Sequence, residues 1–351
     1  MGYTQRLKTL EIYFFRLGLM AMEKTFGVIG SGSWATAIVK LLSNNSDRVN
    51  WWIRNEDSVA YVKKFRHNDR YLQSVEFDLD RIHPNSDLKH VIESSDVLVI
   101  AVPSAFVFKT FSGFTCQGIE DKILFSAIKG IVPEYHSIPA KFFHKEFGIP
   151  YERIGIISGP CHAEEIALER LSYLTLACQD LDIAQDMSGA LACRYVKTSA
   201  SDDLFGTEIS AVMKNIMAIA SGICHGLGYG DNFQAVLISN AIREIECFVD
   251  AVNPVHRDVK SSAYLGDLLV TAYSKFSRNR TFGVMIGKGY SVKAAQLEMS
   301  MIAEGYFAVA SIIEMNKKYE AELPITAAVY RILYDRISPV IEINLLKDAL
   351  N

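Results

Sequence analysis

Apolar residues fall into two rhythms along this chain. From Thr25 to about Ser201, the unbroken runs "FGVIG", "VNWWI", "DVLVIAVP", "KILFSAI", "IGIIS", "YLTLAC" and "RYVKTS" alternate with stretches of helical period. Such runs predict strands covered by helices on both faces, the arrangement of a doubly wound α/β sheet. Beyond Ser201 the rhythm changes. "EISAVMKNIMAIASGICHG", "NFQAVLISNAIREIECFVDAV" and "SVKAAQLEMSMIAEGYFAVASIIEMNKKY" place apolar residues three and four apart and predict long helices. The expected organisation is an extension over 1–22, an α/β domain over 23–200 and an all-helical domain over 201–351. No repeat, low-complexity tract or long linker separates the two domains, so the cleft between them is the expected ligand site.

Length and charge narrow the classes. A chain of 351 residues, half of them apolar, is long enough for two buried cores. Its net charge of -4 comes with no basic run, so nucleic acid is not an expected partner. An anionic small substrate needs only a local cationic pocket. The six cysteines, Cys116, Cys161, Cys178, Cys193, Cys224 and Cys247, include no C-x-x-C pair and read as reduced core thiols. No carboxylate and histidine spacing calls for a metal. The patch "IYFFRLGLMAM" is bordered by Glu11 and interrupted by Arg16. It lacks a clean cleavage site and reads as a non-membrane extension, with Met20 or Met22 as alternative starts. No other apolar run has the length of a spanning helix.

Chemistry enters at "FGVIGSGSWATAI", Phe26 to Ile38. Gly30, Gly32 and Ala35 fit G-x-G-x-x-A directly after the first strand and at the opening of a helix, the context of a dinucleotide-binding fingerprint. Gly30 makes the tight turn, Gly32 lets backbone approach a pyrophosphate, and Ala35 permits close packing of helix on strand. The helix N-terminus favours the negative charge. A Rossmann domain over 23–200 and a nicotinamide cofactor, NAD or NADP, are therefore expected. Where an acidic residue selecting NAD would stand, at the end of the second strand, the chain has Arg54 and Asn55, within reach of the adenine ribose. A guanidinium there can bind a 2′-phosphate or stack on adenine, so both cofactors stay open.

The long segment "EISAVMKNIMAIASGICHGLGYGDNFQAVLI" accompanies "GSWATA", "VPS" (102–104), "AIKG" (127–130), "SGPCHAEE" (158–165), "LGDLLVT" (265–271), "SRNRTFG" (277–283) and "AEG" (303–305). In this order, from about residue 25 to residue 330, the motifs resemble those of the NAD(P)-dependent glycerol-3-phosphate dehydrogenases. The resemblance implies a cytoplasmic enzyme, a homodimer, that interconverts dihydroxyacetone phosphate and sn-glycerol 3-phosphate at the head of bacterial glycerophospholipid synthesis. It places Gly30, Gly32, Ser33, Trp34, Arg54, Lys129, Ala163, Arg278 and Glu304 at the cofactor. It places Lys129, Gly159, Cys161, Lys214, Asp267, Ser277, Arg278 and Asn279 around the substrate, with Asn215 and Thr271 beside them. Lys214 matches the family's proton acceptor. Three departures stand out: Cys161 replaces a serine or threonine, Ala35 replaces a glycine, and "SSAYLGDLL" lacks a glycine before its core motif.

The residues themselves make chemical sense of this. Reducing a ketone needs a hydride donor, a proton donor and groups that hold the substrate in line. From its helix alone Lys214 reads as a snorkelling lysine at a helix edge, but its surrounding motif favours a proton donor. An unpaired ammonium in "ISAVMKNIMAIA" demands a partner, and Asn215 and Asp267 are the candidates to orient it. Lys129, where open sheets place their ligand crevice, would polarise the carbonyl oxygen and depress the Lys214 pKa. "SRN" at 277–279, with Arg280 next to it, offers guanidinium, hydroxyl and amide groups to a phosphate. His225 and His256 read as structural or surface residues, and His162 as lining the cleft. A β-hydroxyacid or 6-phosphogluconate type of reductase, and a silent nucleotide-binding regulator, are the competing readings.

Overall fold

The computed structural model describes residues 24–114, 118–299 and 303–350. The extension expected over 1–22 and Cys116 lie outside them. Eight strands, β1 (Phe26–Ile29), β2 (Val49–Trp52), β3 (Ile82–Asn85), β4 (Val97–Ile100), β5 (Ile123–Ser126), β6 (Ile154–Ser158), β7 (Ser172–Cys178) and β8 (Val196–Ser201), form one sheet. Their order is β3-β2-β1-β4-β5-β6-β7-β8, and every neighbouring pair is parallel except β6 and β7. The expected doubly wound sheet is therefore present, with one reversal. Strands β1, β2 and β4 are buried along their whole length, as unbroken apolar runs require. The exception is β3, "IHPN", which no apolar run announces. It lies at the sheet edge, where Pro84 costs no ladder hydrogen bond.

The strands are joined by α1 (Ser33–Leu42), α2 (Glu56–Phe65), α3 (Leu88–Glu93), α4 (Val107–Phe111), α5 (Pro139–Phe147), α6 (Ala163–Ala167) and α7 (Leu181–Leu191). The rest of the chain is helical: α8 (Leu204–Gly226), α9 (Asp231–Val252), α10 (Asp267–Tyr273), α11 (Arg278–Gly287), α12 (Val292–Glu298), α13 (Glu304–Tyr319), α14 (Pro324–Leu333) and α15 (Pro339–Leu346). The segment from Ser291 to Tyr319, expected as one long helix, holds two. Met299 and Ala303 both have extended backbone, and the break lets α13 begin with Glu304 against the sheet domain.

Alternation within the strands feeds two cores. Val28, Trp51, Val99 and Phe125 pack with α1 and α7 on one face, whereas Ile29, Leu98, Ile100 and Leu124 join a core that runs on into α8, α9 and α13. Helix α8 is buried on nearly every side and forms the axis of the helical domain. Two glycine pairs let α11 lie against it. A Cβ on Gly222 would strike the Arg280 carbonyl, and one on Gly283 would strike that of Ile219. Chain order also creates the crevice: from β1 the sheet grows outward to β3, then returns to β4 on the other side. Loops leaving the C-terminal ends of β1 and β4 therefore flank a switch point, where open sheets bind ligands.

Helices α5 and α14, which have no side-chain cap of their own, borrow one from far along the chain. Before α5 and α14 stand Ile138 and Leu323, neither of which has a capping side chain, and each helix then opens with proline. Buried glutamates from the helical domain supply the missing acceptors. Glu208 on α8 accepts from Ala140 N–H at 3.2 Å. Glu244 on α9 accepts from Ile325 N–H at 2.7 Å, Thr326 N–H at 2.9 Å and the Thr326 hydroxyl at 2.6 Å. Burial pushes the two carboxyls up to about 8 and about 7 respectively. Replacing Glu244 with alanine should cost roughly 1–3 kcal/mol in urea unfolding, because it orphans buried donors. Glu244→Gln, which keeps one acceptor, should cost less. Equal losses in both variants would refute the capping role.

Candidate active site

The turn after β1 is shaped to receive an anion. Gly30 sits at φ +134°, and a Cβ there would lie 2.6 Å from the Ala101 carbonyl oxygen, so the chain turns against β4 only with glycine. Nothing lies within 4 Å of the position a Gly32 Cβ would occupy. Gly32 caps α1 with no side-chain hydrogen bond, and the first turn has no acidic residue. Among the described residues, no protein acceptor engages the N–H groups of Gly32, Ser33 or Trp34. These donors and the helix dipole favour a phosphate. Ala35 is fully buried behind them. Trp34 adds a buried indole N–H with no partner, and the Lys129 ammonium stands 5.5 Å from its ring centroid. The residues present thus fit a dinucleotide. At the end of β2 Arg54 is exposed, whereas Asn55 is occupied: its side chain caps α2 by accepting from Asp57 N–H at 2.8 Å. The Asn55 oxygen is thus committed to the helix start.

Next to this cradle the two domains meet at one carboxylate. Asp267 opens α10 and is 1 % exposed. It forms a close ion pair with Lys214 of α8, and its other oxygen stands 3.7 Å from the Lys129 ammonium and 3.4 Å from the Ser158 hydroxyl. Lys129 in turn donates to the Gly159 carbonyl at 3.2 Å. Burial pushes the Lys214 ammonium down to about 7; Asp267 pulls the other way, and Lys129 adds to the effect of burial. Burial would raise the Asp267 carboxyl, but Lys129, Lys214 and the Gly159 N–H hold it below the usual range. The cluster is an ammonium that titrates near neutrality, an anion that orients it and a second cation alongside.

Asn215, next to Lys214, has a different task from the one expected. Its amide donates to the Lys129 carbonyl at 2.6 Å and accepts from Asn279 at 2.9 Å; Asn279 accepts from Gly305 N–H at 2.9 Å. Asn215 orients Lys129 through its backbone, and no hydrogen bond joins it to the Lys214 ammonium. Asn279 is likewise turned into this network. Ser277 caps α11 by accepting from Arg280 N–H at 3.3 Å, and Thr271 donates to the Asp267 carbonyl at 2.6 Å. Burial raises the Glu304 carboxyl, and exposed Arg278 offsets part of that rise; the Arg280 Nε is buried without a partner. Glu304 is bound by Ser104: the N–H donates at 3.1 Å and the hydroxyl makes a second, close contact. A Cβ on Gly130 would collide with both side chains.

Ala163 opens α6 and is buried, and Cys161 before it is a neutral thiol that burial pushes up to about 12. Between them His162 has a buried Nε2 without a partner. Burial, Lys129 and Lys214 hold its pKa down. His225 and His256 are exposed. Reasoning from sequence missed Ser104, Ser158 and Gly130 as members of this constellation. All three lie inside the motifs "VPS", "SGPCHAEE" and "AIKG", so their position at strand ends was the available signal. Among the described residues no group of His, Cys, Asp or Glu is arranged to hold a metal, all five cysteines are free, and no helix is long and apolar enough to cross a membrane.

Comparison with known proteins agrees with this geometry. Residues 25–184 match the family described as NAD-dependent glycerol-3-phosphate dehydrogenase N-terminus, and residues 203–344 match its C-terminus. A glycerol-3-phosphate dehydrogenase [NAD(P)+] of Staphylococcus carnosus is 30% identical over 311 residues, 88% of this chain and 93% of that protein. One from Limosilactobacillus reuteri is 30% identical over 319 residues, 90% and 94% of the two chains. The crystal structure of glycerol-3-phosphate dehydrogenase from Coxiella burnetii superposes with a TM-score of 0.83 at 28% identity, covering 92% of this chain and 98% of that one.

The ion pair at the domain junction has a measurable signature. Asp267→Asn leaves Lys214 buried without its anion and should destabilise the fold by about 3 kcal/mol at pH 6. The lost carboxylate drives the lysine further down, so below about 7 the native protein holds a proton there that the variant does not. The deficit should therefore shrink as pH rises from 6 to about 7 and level off above it. A deficit independent of pH in urea unfolding would count against this coupling.

Proposed function

This chain belongs to the NAD-dependent glycerol-3-phosphate dehydrogenase family of NAD(P)-dependent oxidoreductases, and from that premise we propose that it reduces dihydroxyacetone phosphate to sn-glycerol 3-phosphate with Lys214 as proton donor. The observation that carries this reading is the buried Lys214–Asp267 pair with Lys129 beside it, next to the Gly30–Trp34 cradle. The dinucleotide, when bound, supplies the hydride. Gly32, Ser33 and Trp34 hold its phosphates on free N–H groups, with Ala163, Arg278 and Glu304 closing the nicotinamide side. Lys129 places positive charge at the substrate carbonyl, where negative charge develops. Lys214, titrating near neutrality, gives its proton to that oxygen and takes it back in the reverse direction. Asp267 fixes the ammonium in place, and Gly159 and Cys161 border the substrate.

Phosphate recognition falls to Arg278 and Arg280 at the start of α11, with Ser277 beside them. Two guanidiniums suit a phosphate dianion better than the single carboxylate of a hydroxyacid, which favours the phosphorylated substrate. Asn279 supports this segment, and Thr271 steadies Asp267 through its carbonyl. In the same reading 23–200 serves the cofactor and 201–351 the substrate, and the enzyme is a cytoplasmic homodimer that feeds glycerophospholipid synthesis.

Nicotinamide absorbance with dihydroxyacetone phosphate tests the proposal. Lys214→Met should lower kcat by about 10² to 10⁴ while the cofactor still binds. Because the acid form of Lys214 is the donor, reduction at saturation should fall as pH rises through about 7, and oxidation should rise over the same interval. A native protein that binds NADH or NADPH but turns over no dihydroxyacetone phosphate would defeat the assignment. Arg54→Ala should raise the KM for NADPH by about tenfold and leave that for NADH within about twofold. Equal changes for both cofactors would remove Arg54 from the 2′-phosphate.

A further inference from the structure

A backbone that receives an anion must point its N–H groups outward and its carbonyls inward. In the cradle after β1, each of three successive carbonyls is held by a donor of the protein. Gly30 O accepts from the Trp51 indole at 2.7 Å, Ser31 O from the Asn68 amide at 3.1 Å, and Gly32 O from the Thr36 N–H and hydroxyl, each at 2.9 Å. Trp51 belongs to the adjoining strand and Thr36 to the first turns of α1 itself, so both follow directly from the strand-turn-helix unit. Asn68 does not. It reaches the cradle from the loop between α2 and β3, far along the chain.

Every hydrogen-bonding capacity of the Asn68 side chain is used, and its orientation is fixed by its partners. The residue is 3 % exposed. Nδ2 donates to Ser31 O and, at 2.9 Å, to Thr36 Oγ1, whose own proton goes to Gly32 O. Oδ1 accepts from Arg70 N–H at 2.9 Å and Tyr71 N–H at 3.0 Å. Rotating the amide by half a turn would oppose an oxygen to the Ser31 carbonyl and leave two N–H groups facing an NH2. The loop is also tied to α2, since Ser58 donates to Asp69 at 2.9 Å.

We propose that Asn68 is a positioning residue for the dinucleotide pyrophosphate, acting through the Ser31 peptide. This rests on the reading of Gly30–Trp34 as the cofactor cradle. With the amide in place, the Ser31 carbonyl points into the protein and the following N–H groups point to the crevice. Without it, that peptide is free to turn an oxygen toward the phosphates.

Asn68→Asp makes the sharpest test. It keeps the acceptor for Arg70 and Tyr71 and the side-chain shape, but sets a carboxylate oxygen against the Ser31 carbonyl. Affinities for NADH and for ADP-ribose are measured by titration on the full-length protein, together with kcat and the KM for dihydroxyacetone phosphate at saturating NADH. Both affinities should fall by about tenfold or more, with kcat and the substrate KM within about twofold of native. Native-like NADH binding by a folded Asn68→Asp variant overturns the proposal. So does a loss of affinity that comes with an equal loss of kcat and of thermal stability, which marks a merely structural residue. Asn68→Ala, free of the added charge, reports the same quantities should the aspartate variant not fold; failure of both to fold also ends the proposal. A native protein that binds neither NADH nor NADPH overturns the cradle reading as well, and so separates the two failures.

Discussion

The structure depends above all on the buried carboxylate of Asp267. An ammonium as deeply placed as that of Lys214 costs several kcal/mol to desolvate, and a second one from Lys129 compounds the cost. One anion offsets both. Its donors come from the end of β6, from the loop beyond β5 and from the centre of α8, so satisfying this one group fixes the helical domain against the C-terminal edge of the sheet. The chain takes care in delivering it. A π-helical turn, Ser262–Gly266, runs directly into Asp267, and a wide turn of this kind is a recurrent feature of functional sites. Tyr264 within that turn donates to Asp203, which also pairs with buried Arg257 at 2.9 Å. Asp203 caps α8, so the segment that brings the carboxylate is anchored to the helix that brings the lysine.

A second line of contacts holds the remaining groups. Asn215, Asn279 and the Gly305 N–H form a relay of side-chain and backbone bonds across α8, α11 and α13. It is possible only because α8 and α11 touch through glycine and because the break after α12 brings the start of α13 close. Shape and chemistry are thus set together: residues with no reactive group decide where reactive groups stand.

Much of this was legible in the sequence where the local pattern and the tertiary role coincide. Apolar runs marked the strands from β1 to β7 other than β3 because those strands are buried along all or most of their length, edge strand β8 being mostly uncovered, and Gly30 announced its turn because no other residue fits there. Lys214 drew notice as a charge inside an apolar helix. Where the role is set by a partner far along the chain, the pattern was silent. Edge strand β3 has too few inward positions to show a run, and the antiparallel return of β7 leaves no trace in composition. Asn55 and Asn215 were read as ligand contacts from the residues beside them in the chain; in the structure the Asn55 side-chain oxygen caps a helix and Asn215 holds a backbone carbonyl. Asn68 carried no motif at all, since its meaning lies in the Ser31 carbonyl it meets.

The borrowed helix caps bear on how the chain comes to be folded. Helix α5 belongs to the sheet domain, between β5 and β6, yet the acceptor for its opening turn is Glu208 of α8 in the helical domain. Docking of the helical half therefore stabilises the start of α5, and a severed sheet half would leave that turn without its protein acceptor. The two halves, distinct in architecture, are thus coupled through a buried hydrogen bond remote from the Lys214–Asp267 pair, and separating them would break it.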